Sequence, residues 1–185
     1  MDHYIDIDLQ IDPEFSSPLL MSALFSKLHR ALIGQAGIGV SFPGFDALAP
    51  NLGTRLRLHS GQRSLSELMA LNWLTGMRDH VRLGCLDKVP AASQHRVVRR
   101  VQSQSSPDRL RRRLMHRHNL DLAQASERIP DIVAHLLKLP FVQLRSSSTG
   151  QSFRLFIEHG ELIDNSIPGN FSAYGLSQSA TVPWF

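Results

Sequence analysis

Histidines, a serine-rich turn and a run of arginines are the residues of this 185-residue chain whose types could do chemistry. An imidazole of ordinary pKa, about 6.5, can take or give a proton near neutral pH. There are nine histidines. None has a metal-ligand spacing such as HExxH, and the single cysteine, Cys85, rules out a CxxC pair, so no zinc site is expected. There is no P-loop, GxGxxG or GxSxG, and no tight carboxylate cluster that would hold two magnesium ions. His29 falls off the leucine stripe of a predicted helix, on the side of Ser22 and Ser26; by position alone it reads as a surface histidine. Ser146-Ser147-Ser148-Thr149-Gly150 reads by composition as a polar hairpin turn. Phe153 and Tyr174 are single aromatics that suit either a core or stacking on a base.

The arginines are more pointed. Of 20 basic residues, 17 are Arg and 3 are Lys. The guanidinium is favoured where planar, bidentate contact with phosphate or base edges matters. Eight arginines lie between Arg96 and Arg117 against one acid, Asp108, leaving about +7 on that block, while the whole chain carries only +4. Ser106-Pro107-Asp108 predicts a helix start, with proline at the first helical position and an acid at the positive end. That helix is expected over Pro107 to His118. At about 100° per residue, Arg109, Arg112, Arg113, His116 and Arg117 share an arc of about 140°. Leu110 and Leu114 form a narrow apolar seam at its edge. Four arginines within Arg109–Arg113 have few acids at i±4 to pair with. The pattern points to a polyanion, a nucleic acid, without saying RNA or DNA.

The surrounding elements follow from periodicity. Tyr4–Leu9 alternates and predicts a strand. Ser17-Pro18 opens a helix carrying Leu20, Leu24, Leu28 and Leu32, ending near Gly34. Strands are predicted at Ile38–Phe42, Thr54–His59 and Asp79–Leu86, with a helix from a Ser64–Glu67 capping box to about Leu74. Strand, helix, strand, strand, helix, strand is the ferredoxin-like order. Beyond it come an extended Arg96–Gln102, a polar hinge at Ser103–Ser106, the basic helix, and a short helix over Asp131–Leu139. A hairpin of Phe141–Arg145 and Ser152–Ile157 turns at Thr149-Gly150, and Phe171–Phe185 reads as strand-like.

Apolar residues make up 42% of the chain, a globular composition. The lone cysteine suggests an intracellular, cytoplasmic protein. The opening residues, Met1-Asp2-His3-Tyr4, do not read as a signal peptide, and no apolar run suits a membrane span.

Several stretches together resemble the endoribonuclease family that matures CRISPR RNA in type I-F systems. They are Met1-Asp2-His3-Tyr4, Phe25-Ser26-Lys27-Leu28-His29, Arg100-Val101-Gln102, Arg109-Leu110-Arg111-Arg112-Arg113-Leu114-Met115, Leu144 to Gln151, Tyr174-Gly175-Leu176-Ser177 and Val182-Pro183-Trp184-Phe185. They run the length of the chain in order and spacing. The resemblance implies an α+β protein: a ferredoxin-like N-terminal domain, 1–94, carrying His29, and a smaller α+β C-terminal domain, 95–185, with the basic helix and a β-hairpin. It implies an enzyme that binds the CRISPR repeat RNA hairpin, cuts pre-crRNA at the 3′ base of the stem, and stays bound as a subunit of the interference complex. No metal or other cofactor is implied.

Carried over by motif, His29 is the expected general base or acid. Ser146 and Ser148 would hold the ribose, Ser148 anchoring the 2′-hydroxyl, and Tyr174 would orient His29. Phe153 would stack on the terminal base pair. Arg100 and Gln102 would bond base edges. Arg109, Arg112, Arg113, His116, Arg117 and His118 would lie along the major groove of the stem. Two departures appear: His116 stands where the family's helix often has arginine, and Ser147 where a glutamine can occur. The chemistry implied is attack by the ribose 2′-oxygen on the adjacent phosphate, leaving a 2′,3′-cyclic phosphate. DNA lacks that hydroxyl, so the resemblance selects RNA. A non-catalytic module that caps the guide RNA is the alternative, and a DNA-binding regulator a weaker third reading.

Overall fold

The computed structural model describes residues 1–46, 48–102, 107–129, 138–146 and 149–185, and the side chains of 107–110 are not among what it describes. The chain is α+β, as the sequence predicts. His3–Leu9 forms strand β1, whose alternation buries His3, Ile5, Ile7 and Leu9. Helix α1, Ser17–Ala31, starts at the predicted Ser-Pro pair and buries Leu20, Met21, Leu24, Phe25 and Leu28. Strands β2, Gly39–Ser41, and β3, Arg55–Ser60, precede helix α2, Gln62–Ala70, and strand β4, Val81–Lys88. The sheet order is β2-β3-β1-β4, antiparallel throughout. With this chain order it is the ferredoxin-like arrangement. Side chains from α1 and α2 pack with the strands in one core, each large apolar residue contributing roughly 1.5–3 kcal/mol of burial.

A second antiparallel sheet, β6-β7-β5-β8, is built from β5 (Gln94–Val101), β6 (Phe141–Arg145), β7 (Ser152–His159) and β8 (Thr181–Trp184). Strand β5 is shared along its length: Gln94–Val97 pairs with β8, and Val98–Val101 with β7. The core runs on through Val98, Val142, Leu144, Leu155, Ile157 and Val182. Met1–Val101 and Leu139–Phe185 thus form one compact unit. Gln102–Lys138 forms another, with helices α3 (Pro107–His118) and α4 (Leu122–Arg128).

Several expectations need correction. Helix α2 starts at Gln62 behind Gly61, without a side-chain cap, so Ser64 and Glu67 lie inside the helix and make no capping box. It ends at Ala70, and Leu74 is buried in the turns that follow. Residues 78–80 form a single 3-10 turn before β4. Of the strand expected over Phe171–Phe185, only β8 is extended; 171–180 makes turns that leave Leu176 and Ala180 buried. Helix α4 was not predicted, although its signal is legible: Asp121 caps the Gln124 amide while the Gln124 side chain accepts from the Asp121 amide. The hinge at Ser103–Ser106 and most of the helix expected over Asp131–Leu139 lie outside the described residues.

Candidate active site

His29 is set by two elements far apart in sequence. On α1 it follows Phe25 by one turn and sits beside the buried Leu28, so its ring leaves the core at the helix edge, half-buried. The second element is the turn Ser172–Leu176. The Ser172 amide donates to the Leu176 carbonyl and the Gly175 amide to the Ser172 carbonyl, at 2.9 and 2.8 Å. The turn is tied to β2 by the Val40 amide, which donates to the Gly175 carbonyl at 2.8 Å. Gly175 has φ +68°, and a Cβ there would run into the Val40 side chain. Only glycine meets both demands.

This turn delivers two contacts to His29. The imidazole Nδ1–H donates to the Ala173 carbonyl at 2.8 Å. The Tyr174 ring stacks on it, with centroids 4.0 Å apart and planes 12° from parallel. A stack of this kind is worth about 0.5–1.5 kcal/mol beyond its buried area. A carbonyl can only accept, so Nδ1 carries the proton. The neutral ring therefore keeps its lone pair on Nε2, the state a general base requires.

Ser146 opens the hairpin turn between β6 and β7. Its amide donates to the Gln151 carbonyl at 2.9 Å, its carbonyl accepts from the Gly150 amide at 2.9 Å, and its Oγ accepts from the Thr149 amide at 3.3 Å. Gly150 takes φ +67°, and Arg145 Nε–H donates to the Gly150 carbonyl at 2.9 Å. Ser146, His29, Phe153 and Tyr174 line one groove of about 700 Å³, with Ser26, Arg30 and Arg145 on its walls. That volume suits a nucleotide-sized ligand. The Arg100 guanidinium, on β5, lies 5.7 Å from the Tyr174 ring centre and 6.0 Å from that of Phe153.

The structure thus gathers His29, Ser146, Phe153, Tyr174 and Arg100 in one place. A larger, more apolar groove between α1, Pro50–Thr54 and β6 contains none of them. Ser148 lies outside the described residues. Gln102 is exposed, and the remaining predicted contacts belong to α3 in the second compact unit. There Arg112, Arg113, His116, Arg117 and His118 are exposed and Leu114 is half-buried. Arg109 lies in the first turn of α3. Arg111 serves the unit's own packing, since its Nε–H donates to the Ile129 carbonyl at 2.9 Å and ties α3 to the end of α4. Ala173, Gly175 and Arg145 are the site residues that sequence reasoning missed. Gly175, between an aromatic residue and a buried leucine, was the one readable sign of a forced turn.

A family profile described as CRISPR-associated protein (Cas_Csy4) matches residues 4–185. The chain belongs to this family. It is 54% identical to the CRISPR-associated endonuclease Cas6/Csy4 of Pseudomonas aeruginosa (strain UCBPP-PA14), with all of both chains covered. It is 46% identical to the protein of the same name from Escherichia coli (strain UTI89 / UPEC), again with all of both chains covered. The resemblance read from the sequence is thereby met for the family and for the enzyme class, both of these relatives being named as CRISPR-associated endonucleases. Among the described residues no helix is long and apolar enough to cross a membrane, and no group of three or more His, Cys, Asp or Glu could hold a metal ion.

Proposed function

We propose that this Cas_Csy4 family member is a cytoplasmic, metal-independent endoribonuclease that binds the CRISPR repeat hairpin and cuts pre-crRNA at the 3′ base of its stem. The observation that carries the reading is the His29 ring, stacked on Tyr174 with Nδ1–H spent on a backbone carbonyl. In the reaction His29 Nε2 takes the proton of the ribose 2′-hydroxyl. The 2′-oxygen bonds to the adjacent phosphorus, and the bond from phosphorus to the 5′-oxygen of the next nucleotide breaks. The products are a 2′,3′-cyclic phosphate and a 5′-hydroxyl, whose proton comes from solvent. Positioning supplies the rest, since the attacking and departing oxygens must lie in line.

Ser146 and Ser148 hold the ribose, Phe153 stacks on the last base pair, and Arg100 and Gln102 bond base edges. The α3 residues Arg109, Arg112, Arg113, His116, Arg117 and His118 grip the stem along its major groove. The enzyme keeps its product and enters the interference complex with it. The family resemblance and the groove's lining support this reading.

The test pairs two RNAs in EDTA: a CRISPR repeat hairpin that the protein binds, and the same RNA with a 2′-deoxyribose at the scissile nucleotide. Cleavage of the first alone is expected. Cutting of both, or of neither, sinks the mechanism.

A further inference from the structure

We infer that Arg145 is a further catalytic residue of this groove, its guanidinium holding a non-bridging oxygen of the reacting phosphate. The inference rests on the cleavage reading above and deepens it. When the 2′-oxygen adds to phosphorus, negative charge builds on the non-bridging oxygens of a five-coordinate centre. His29 gains its positive charge on the side of the attacking oxygen. Charge on the non-bridging oxygens needs donors already in place, because donors that must reorganise lose most of their value.

Arg145 meets that need. It ends β6, immediately before Ser146, and lines the groove with His29. Its Nε–H is spent on the Gly150 carbonyl across the hairpin turn, at 2.9 Å. That bond fixes the plane of the guanidinium and leaves its four Nη protons, the fork that matches phosphate oxygens. Its partner is also neutral. Other arginines of the same compact unit face carboxylates: Arg55 bonds Asp8, Arg57 bonds Asp6 and Arg99 bonds Glu158, all at 2.6–3.2 Å. Arg96 also faces a carbonyl, that of Gly160, but lies against the rings of Phe45 and Trp184. Arg145 is exposed, fixed through one nitrogen and, among the described residues, uncompensated in charge. Arg30 adds positive charge to the same groove.

The test uses the full-length protein and the repeat hairpin under single-turnover conditions. Arg145→Gln is expected to slow cleavage about 100-fold, the cost of removing one pre-set donor, and to leave affinity for the 2′-deoxy hairpin within about threefold. Because Arg145 also clamps the turn, rate loss alone does not separate contact from scaffolding. The second measurement does. Replacing one non-bridging oxygen of the scissile phosphate by sulfur, each diastereomer in turn, should slow the natural protein for one diastereomer. Arg145→Gln should lose that discrimination. An undiminished sulfur effect in the variant, or a variant rate equal to the natural one, overturns the inference. His29→Ala and the 2′-deoxy RNA run alongside: if they show the expected loss of cleavage, a negative Arg145 result condemns this inference alone. If they do not, the cleavage reading itself fails.

Discussion

The groove around His29 and the exposed face of α3 carry charge in opposite styles. In the groove each group is held from a different part of the chain: His29 from α1, Ala173 and Tyr174 from a turn 144 residues later, Ser146 and Arg145 from a hairpin. On α3 the exposed basic residues stand at helical spacing and take their direction from one helix. The first arrangement sets distances to a few tenths of an ångström, which proton transfer needs. The second sets a density of charge, which a phosphate backbone needs. Cutting and gripping should therefore separate under mutation.

The largest separation is expected from His29→Ala. Removing the base should lower the single-turnover rate by about 10²–10⁴, with hairpin affinity nearly intact. A matching collapse of affinity would erase the distinction between the two regions. Gly175→Ala comes next. Its Cβ has no room against Val40, and the backbone resists +68°, so the turn carrying Tyr174 must shift. We expect stability to fall by about 2 kcal/mol and cleavage to drop at least tenfold, with binding by α3 preserved. Unchanged cleavage in a folded Gly175→Ala protein would mean that the His29–Tyr174 stack is dispensable.

Acid should act on the groove's compact unit through its core histidines. His59 is fully buried, bonded through Nε2 to Ser41 Oγ at 2.8 Å, and burial lowers its pKa to about 3. His159 lies against Phe45 and is likewise lowered by burial to about 3. Their unfolded value is about 6.5, so between 6.5 and 3 the unfolded chain binds more protons. Stability is then full above about 6.5 and falls as pH drops through that window. At pH 5 the loss is on the order of 1–2 kcal/mol per histidine. Thermal melts from pH 7 to 5 should show it, and His59→Gln should flatten the slope. A flat profile in the natural protein would show that these rings are not held neutral. The smallest effect is expected from Arg113→Ala: binding a few-fold weaker, the salt slope reduced by about one, and cleavage of saturating hairpin unchanged. An unaltered slope would remove Arg113 from the phosphate contacts.

The same contrast governs how much was legible. Helix α3 was readable to its ends because proline at the first helical position, a dense helical pattern and local charge are properties of consecutive residues. The βαββαβ order and the 141–157 hairpin were readable for the same reason. Even so, Ser64–Glu67 has the spacing of a capping box and makes none, since spacing alone does not say which residue precedes the first helical turn. His29 read by position as a surface histidine; its candidacy came from likeness to a family.

By itself the sequence determined the βαββαβ order, the basic face of α3 and the alternation of β1 and β6, because each depends on neighbours within a turn or a strand. Tertiary structure alone decided that Ala173 holds the His29 proton on Nδ1, that Tyr174 covers the ring, and that Arg145 lines the groove clamped to Gly150. Those facts depend on which backbone carbonyl ends up opposite which side chain. No periodicity within α1 encodes a partner 144 residues away.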